Sequence, residues 1–254
     1  MDILTQTREG IFAIEFNRPE KKNALTGDMY ALLTEALLAA ERDDAVRVVL
    51  FHGKPDLFTA GNDIEDFMQR PPQDEGTPVF RFLDAASRAA KPLVAAVNGP
   101  AVGIGATLLL HCDLVYVGDN ARFRLPFVSL GLVPEFASSY LLPMIAGYHR
   151  AAELLLLGEA FGPDEALAAG FVTRVVPATQ TLDTAWAAAR KLAALPAKSV
   201  RTTKALLKGA HAAAVQNQMQ LEGRHFREMV SEPAAREAFA AFIEKRRPDF
   251  SKLP

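Results

Sequence analysis

Short apolar runs alternate with helical periodicity through residues 10–117. From about residue 134 helical segments dominate, apart from one strand-like run at 171–176. That order limits the fold more than any other feature. Parallel strands need long crossovers, usually helices, and strands covered on both faces carry unbroken apolar runs. Strands are expected at 10–16, 46–52, 92–97 and 113–117, with a short extended piece at 123–127. Between them, Thr26 has the character of an N-cap, and Met29, Leu32, Leu33, Ala36 and Leu37 recur at helical spacing to about Asp44. Asp63 caps a short helix carrying Ile64, Phe67 and Met68; residues 79–90 and the apolar stretch 106–112 are also helical. Residues 70–78 hold three prolines and a glycine, which predicts a mobile loop. Pro163 with Asp164 and Glu165 marks another helix start. Residues 198–245 are nearly all helix formers, interrupted by Pro233. The pattern is an α/β core over residues 1–197 followed by a helical region over 198–254, with no internal repeat.

Composition removes several classes of function. The 28 basic and 30 acidic residues leave a net charge of −2, so no basic face for nucleic acid is indicated. Cys112 is the single cysteine, which allows neither an intramolecular disulfide nor a zinc cluster and fits a reducing compartment. Residues 1–10 lack the apolar core of a signal peptide, and no run of 18 apolar residues suggests a membrane span. Ser251-Lys252-Leu253 spells a peroxisomal address, but Pro254 follows it and that signal works as a terminal tripeptide. A cytoplasmic protein is expected.

Most catalytic motifs are absent. There is no G-x-S-x-G elbow and no P-loop. His52, His111, His149, His211 and His225 lack metal-ligand spacing, and Gly99, Gly103 and Gly105 fall in the wrong order for a dinucleotide fingerprint. Two segments remain, Leu57-Phe58-Thr59-Ala60-Gly61-Asn62-Asp63-Ile64 and the glycine-rich stretch 95–106. Each follows a strand and leads into a helix, and small residues let a ligand approach backbone N–H groups. Either alone is equally a packed turn. Together, one α/β unit apart, they can form a two-donor oxyanion hole without any side chain.

With these segments in view, the chain resembles the crotonase (enoyl-CoA hydratase/isomerase) superfamily from about residue 11 to 248. The resemblance rests on Asn17-Arg18-Pro19-Glu20-Lys21-Lys22-Asn23-Ala24-Leu25, on 58–64 and 98–105, on His111-Cys112-Asp113, and on Gly158-Glu159-Ala160-Phe161 through Gly170-Phe171-Val172. It implies a spiral of ββα units with a C-terminal helical trimerisation region, hence a homotrimer or a dimer of trimers. It implies an acyl-CoA thioester as substrate, with coenzyme A entering as part of that substrate and no separate cofactor, metal, nucleic acid or membrane. Carried over by position, the oxyanion donors are the N–H groups of Ala60 and Ile104. The binding residues are Lys22, Asn23, Ala24, Ala60, Asn62, Asp63, Ile64, Phe67, Gly103, Phe127 and Lys245. Ile104 stands where the family usually has glycine, so its side chain is expected to narrow the pocket. Lys21 and Lys22 either touch CoA phosphates or form a solvated pair.

The family hosts several reactions, so the reaction must come from the site. Its hydratases use two glutamates, whose positions here carry Thr107 and Phe127; neither can serve as a general acid or base in their place. A different carboxylate stands directly after Pro134. Glu135, within Leu130-Gly131-Leu132-Val133-Pro134-Glu135-Phe136, occupies the place of the catalytic glutamate in peroxisomal-type Δ3,Δ2-enoyl-CoA isomerases, and Asn62 suits that branch as well. The resemblance therefore implies double-bond migration through a single base. Apolar neighbours Val133, Pro134, Phe136 and Phe127 are expected to raise the pKa of Glu135 toward ~6–7 by desolvation. Glu135 also suits a plain first-turn helix acid. The alternatives are another acyl-CoA reaction in the same family, including weak hydration, and a non-catalytic acyl-CoA-binding subunit. RNA binding is disfavoured because the helix near 180–191 carries only Arg190 and Lys191 as basic residues.

Overall fold

The computed structural model describes residues 1–251 and Leu253. Of the tripeptide at 251–253 and its following proline, Lys252 and Pro254 lie outside the described residues. A six-stranded sheet runs in the order β1 (Ile3–Arg8), β2 (Ile11–Phe16), β3 (Val48–His52), β4 (Leu93–Val97), β6 (Leu114–Gly118), β8 (Arg174–Val176). Only the β1–β2 pair is antiparallel. A small second sheet pairs β5 (Pro100–Val102) with β7 (Arg122–Arg124) in parallel. β4 and β5, then β6 and β7, each place one strand in either sheet; β3 is followed by Thr59, which bridges in parallel to Ala101. Three successive passes thus step along both sheets, which is the expected spiral.

Strict alternation explains why the main sheet is covered on both sides. Val49 and Phe51 of β3, with Leu93, Ala95 and Val97 of β4, face the principal core. Val48, Leu50, Val94, Ala96 and Tyr116 face the opposite way and pack on Ala185 and Ala189 of α8 (Thr181–Ala194). The principal core is closed by α1 (Gly27–Arg42) and α3 (Pro78–Ser87), which contribute Leu33, Leu37, Phe82 and Leu83. Thr26 does cap α1 by accepting from the N–H of Met29, and Asp63 caps α2 (Ile64–Gln69) by accepting from Asp66.

The remaining helices are α4 (Ile104–Thr107), α5 (Ser138–Ala146), α6 (Tyr148–Ala152), α7 (Pro163–Ala168), α9 (Ala197–Gly209), α10 (Ala212–Met229) and α11 (Pro233–Ile243). Residues past 197 share the principal core, because Phe226, Val230, Ala235 and Phe239 belong to it. Leu206 and Leu207 of α9 are each 76% exposed. Among the described residues no helix is long and apolar enough to cross a membrane.

Five elements differ from expectation. β1 has one buried residue followed by five exposed ones, so nothing apolar announced it; it is an edge strand held by pairing with β2. β5 lies inside the glycine-rich stretch, and the extended piece at 123–127 is a strand only over Arg122–Arg124. The late strand begins at Arg174, not 171. The helix expected at 106–112 starts earlier, as α4, and ends in a 3-10 turn over Leu108–Leu110.

Candidate active site

The two small-residue segments lie side by side. Thr59 donates its N–H to Pro100 O (2.9 Å), and Val102 donates to Thr59 O (3.1 Å). Contact is close because side chains are missing: a Cβ on Gly61 would sit 2.7 Å from Val102 O, and one on Gly105 2.5 Å from Thr59 Cγ2. From the Thr59–Ala101 rung, three residues lead to Asn62 on one segment and to Ile104 on the other.

Which N–H groups remain free follows from the hydrogen bonds. Ala60 donates to Lys22 O (3.0 Å), Leu25 to Gly61 O (2.8 Å) and Asp63 to Leu25 O (2.9 Å). The Ala60 N–H is therefore committed within the fold, which corrects the expectation that it is an oxyanion donor. In the same segment the N–H of Asn62 has no acceptor among the described residues. Ile104 is the first residue of α4, and its N–H is one of the unpaired donors at a helix start. Its side chain is buried in the principal core and does not line the cavity, so it does not narrow the pocket as expected.

These segments border a cavity of about 650 Å³. Of the residues expected in the site, Lys22, Ala24, Ala60, Asn62, Asp63, Ile64, Phe67, Gly103, Phe127, Glu135 and Lys245 line it. Asn23 does not. It is fully buried, accepts from the Arg18 N–H (2.7 Å) and donates to Phe58 O (2.8 Å), so it braces the 18–25 loop against the first segment. The Asn62 side chain accepts from the Tyr30 hydroxyl. Lys22 and Lys245 stand at the wall together with Glu20, Lys21 and Glu65, while Phe67, Phe127, Phe226, Phe239 and Phe242 give the cavity an aromatic lining. α11 packs against α2 and against the 3-10 turn Val128–Leu130. The fit at Gly131 is tight, because a Cβ there would lie 2.6 Å from the backbone nitrogen of Ala235.

Four lining acids differ sharply in their surroundings. Asp63 bonds Arg18 Nη1 at 2.6 Å. Burial alone would raise its pKa, but the Arg18 bond and charge and the Asp66 N–H hold it below the usual carboxylate range. Glu65 lies 3.3 Å from Lys21, and Glu20 lies 4.0 Å from Arg18. Glu135 has no cation partner among the described residues. It is 5% exposed, and its Oε1 has no hydrogen-bond partner. Burial, then the charge of Glu222, pushes its carboxyl up to about 8, above the range expected from the sequence.

The backbone beyond Glu135 is unusual. Phe136 (φ 62°) and Ala137 (φ 54°) are consecutive left-handed residues without glycine, and both are buried. Such conformations persist only where the surroundings fix them. His111 stacks on the Phe136 ring at 3.7 Å and bonds Phe136 O at 2.7 Å. Burial lowers His111 to about 3, so it is neutral and donates through Nε2. Thr107, at the first hydratase position, is buried with its hydroxyl unpartnered and does not line the cavity.

Comparison with known proteins agrees with this architecture. The enoyl-CoA hydratase/isomerase family model matches residues 6–252. Enoyl-CoA delta isomerase 2 of Rattus norvegicus is 42% identical over 81% of this chain; the chain spans only about half, 54%, of that relative. The 1,2-epoxyphenylacetyl-CoA isomerase of Escherichia coli K12 is 36% identical over 98% of both proteins. Among solved structures, an enoyl-CoA hydratase/isomerase from Pseudoalteromonas atlantica superposes with a TM-score of 0.93 at 42% identity, covering 98% of this chain and 100% of the other. OdaA of Pseudomonas aeruginosa also gives 0.93, at 45% identity over 95% and 98%.

Proposed function

The chain belongs to the enoyl-CoA hydratase/isomerase family, and on that premise we propose that it is a Δ3,Δ2-enoyl-CoA isomerase with Glu135 as its base. One observation carries the reading: Glu135 is the one buried carboxyl among the described cavity residues that has no cation partner. The ionised carboxylate takes a proton from C2 of a 3-enoyl thioester. The C–H electrons form a C1–C2 double bond as the carbonyl pair moves onto oxygen, giving a dienolate that keeps the C3–C4 double bond. When the oxygen pair falls back, the C1–C2 pair becomes the C2–C3 double bond and the C3–C4 pair takes up the proton. Returning the proton to C4 restores the carbonyl and leaves the 2-enoyl thioester. The N–H groups of Asn62 and Ile104 suit the oxyanion; losing such a donor typically costs ~2.7–4 kcal/mol of barrier. No water and no second acid are consumed, which agrees with Thr107 and Phe127 at the hydratase positions. Nothing beyond the chain and the thioester is called for. The exposed leucines 156, 157, 206 and 207 offer apolar surface for the homotrimer or dimer of trimers that we also propose, and a mass measurement in solution counts the subunits.

The test is incubation with trans-3-hexenoyl-CoA, following the 2-enoyl thioester by ultraviolet absorbance, beside a tube of crotonyl-CoA to detect hydration. Isomerisation without hydration, abolished by Glu135→Gln, is expected. Hydration without isomerisation, or full turnover by Glu135→Gln, overturns the reading. A second reading is favoured by the full-length similarity to the epoxyphenylacetyl-CoA isomerase and by the aromatic lining of the cavity. In it the same base acts on a ring-derived acyl thioester. Activity toward such a thioester with none toward 3-hexenoyl-CoA would select it.

A further inference from the structure

We propose that Glu222 of α10 is a positioning residue for Glu135, its carboxylate tying down the left-handed turn at Phe136–Ala137 that aims Glu135 into the cavity. This rests on the reading of Glu135 as the base only for its catalytic consequence; the anchoring itself does not. Glu222 accepts from the N–H of Ala137 (2.6 Å) and of Ser139 (3.0 Å), and from the Ser139 hydroxyl. It is 5% exposed, and no cation pairs with it among the described residues. A buried carboxylate without a counter-ion is costly unless N–H and O–H donors satisfy it. Here the donors come from the strained turn and from the first residues of α5. Burial raises Glu222 to about 7 despite those bonds.

The turn needs an outside anchor. Two adjacent buried residues with positive φ and a side chain do not hold that shape by local preference. His111 holds the first from one side through Phe136 O, and Glu222 holds the second from the other through the Ala137 N–H. Glu135 is the residue just before this clasped pair, and its free Oε1 has nothing of its own to orient it. The direction of its carboxyl is set by backbone whose shape Glu222 maintains. Displacements of about 1 Å at a reacting group can cost ~10²-fold in rate.

Glu222 also acts on Glu135 through charge. The groups facing Glu135 are Glu222 from α10 and the Tyr30 phenol from α1, whose own pKa is raised well above normal by burial and then by the charge of Glu135. His111 is neutral; Lys204, Lys208 and Asp113 act on His111, whereas Glu135 is shifted by burial and Glu222. Neutralising Glu222 therefore removes the one like charge that raises Glu135, while burial still holds it above an ordinary carboxylate.

The decisive experiment compares wild type, Glu222→Gln, Glu222→Ala and Glu135→Gln. Protein labelled with 13C at the glutamate carboxyl is titrated by NMR, with the Glu135 resonance assigned by its loss in Glu135→Gln. Glu222→Gln should move the Glu135 midpoint to lower pH whether or not the substrate is known; an unmoved midpoint overturns the proposal. In the 3-hexenoyl-CoA assay, kcat should fall ~10–100-fold in Glu222→Ala with KM within about threefold. The acid limb of kcat/KM should move down in Glu222→Gln. Wild-type kcat in both Glu222 variants beside an inactive Glu135→Gln refutes the positioning role and leaves the base intact. Turnover by Glu135→Gln refutes the base, and hydrogen exchange of the Ala137 and Ser139 amides, expected to be faster in Glu222→Ala than in wild type, then judges the anchoring alone: unchanged exchange overturns it.

Discussion

Replacing Glu135 with glutamine should make the protein more stable, and by an amount that grows with pH. In the folded chain the carboxyl is held at about 8, against 4.5 unperturbed. The native state thus binds the proton more tightly than the unfolded chain. Stability is full below the unfolded value and declines as pH rises through the window between the two, at about 1.4 kcal/mol per pH unit. By pH 7 the loss reaches about 3 kcal/mol, a large share of the ~5–15 kcal/mol typical of a domain. Glutamine fills the same space and carries no titrating proton, so it escapes the loss. Urea unfolding of both proteins at pH 5, 6, 7 and 8, at one protein concentration, measures the gap. It should be near its smallest at pH 5 and widen by about 3–4 kcal/mol at pH 8. A gap constant to within about 0.5 kcal/mol, the ordinary size of a surface substitution, would refute the claim that burial raises the Glu135 carboxyl in the fold. That result would also remove the physical basis for its use as a base near neutral pH.

Three other outcomes follow from the geometry. Ile104→Ala should cost about 2–5 kcal/mol of stability by emptying core volume, yet leave kcat within about threefold, because any oxyanion donor there is main chain; thermal melts and initial rates check both. Gly131→Ala combines a positive φ with a Cβ 2.6 Å from Ala235 N, so it should destabilise by about 1–3 kcal/mol and raise KM as α11 is displaced. Lys245→Ala should raise KM for CoA thioesters several-fold at low salt, with kcat unchanged, and the difference should shrink as added salt screens the phosphates.

Much of the scaffold could be read in advance because it is local. Thr26 and Asp63 cap helices with side chains one turn away, and the central strands are runs of residues that must be apolar on both faces. The edge strand β1 could not be read, since five of its six residues face out and only its partner defines it. The candidate site divides the same way. The two small-residue segments and Glu135 stood out, but the choice of donor within the first segment did not. Only the hydrogen bond from Ala60 to Lys22, a contact across 38 positions, moves the free N–H to Asn62. Asn23 fell among the binding residues because it lies in a recognisable loop, although its amide is spent inside the fold. Glu222 sits 85 positions from the N–H it holds, in a polar helix stretch resembling any solvated face. No local spacing could have marked it.

The ladder joining Thr59 to Ala101 has a consequence for how such a site changes over time. Both proposed donors rise from one backbone register, so their separation is set by strand pairing and not by any side chain that mutation could adjust. The base comes from a different part of the chain, on a turn gripped by a helix from the C-terminal region. The two halves of the machinery are modular: the anion-holding half tolerates drift at side chains other than at Gly61 and Gly105, where a Cβ would clash across the two segments, and the proton-moving half can be rebuilt independently. A lineage on this scaffold can therefore exchange one reaction for another by relocating a single carboxyl, without passing through an ancestor that has lost its grip on the thioester.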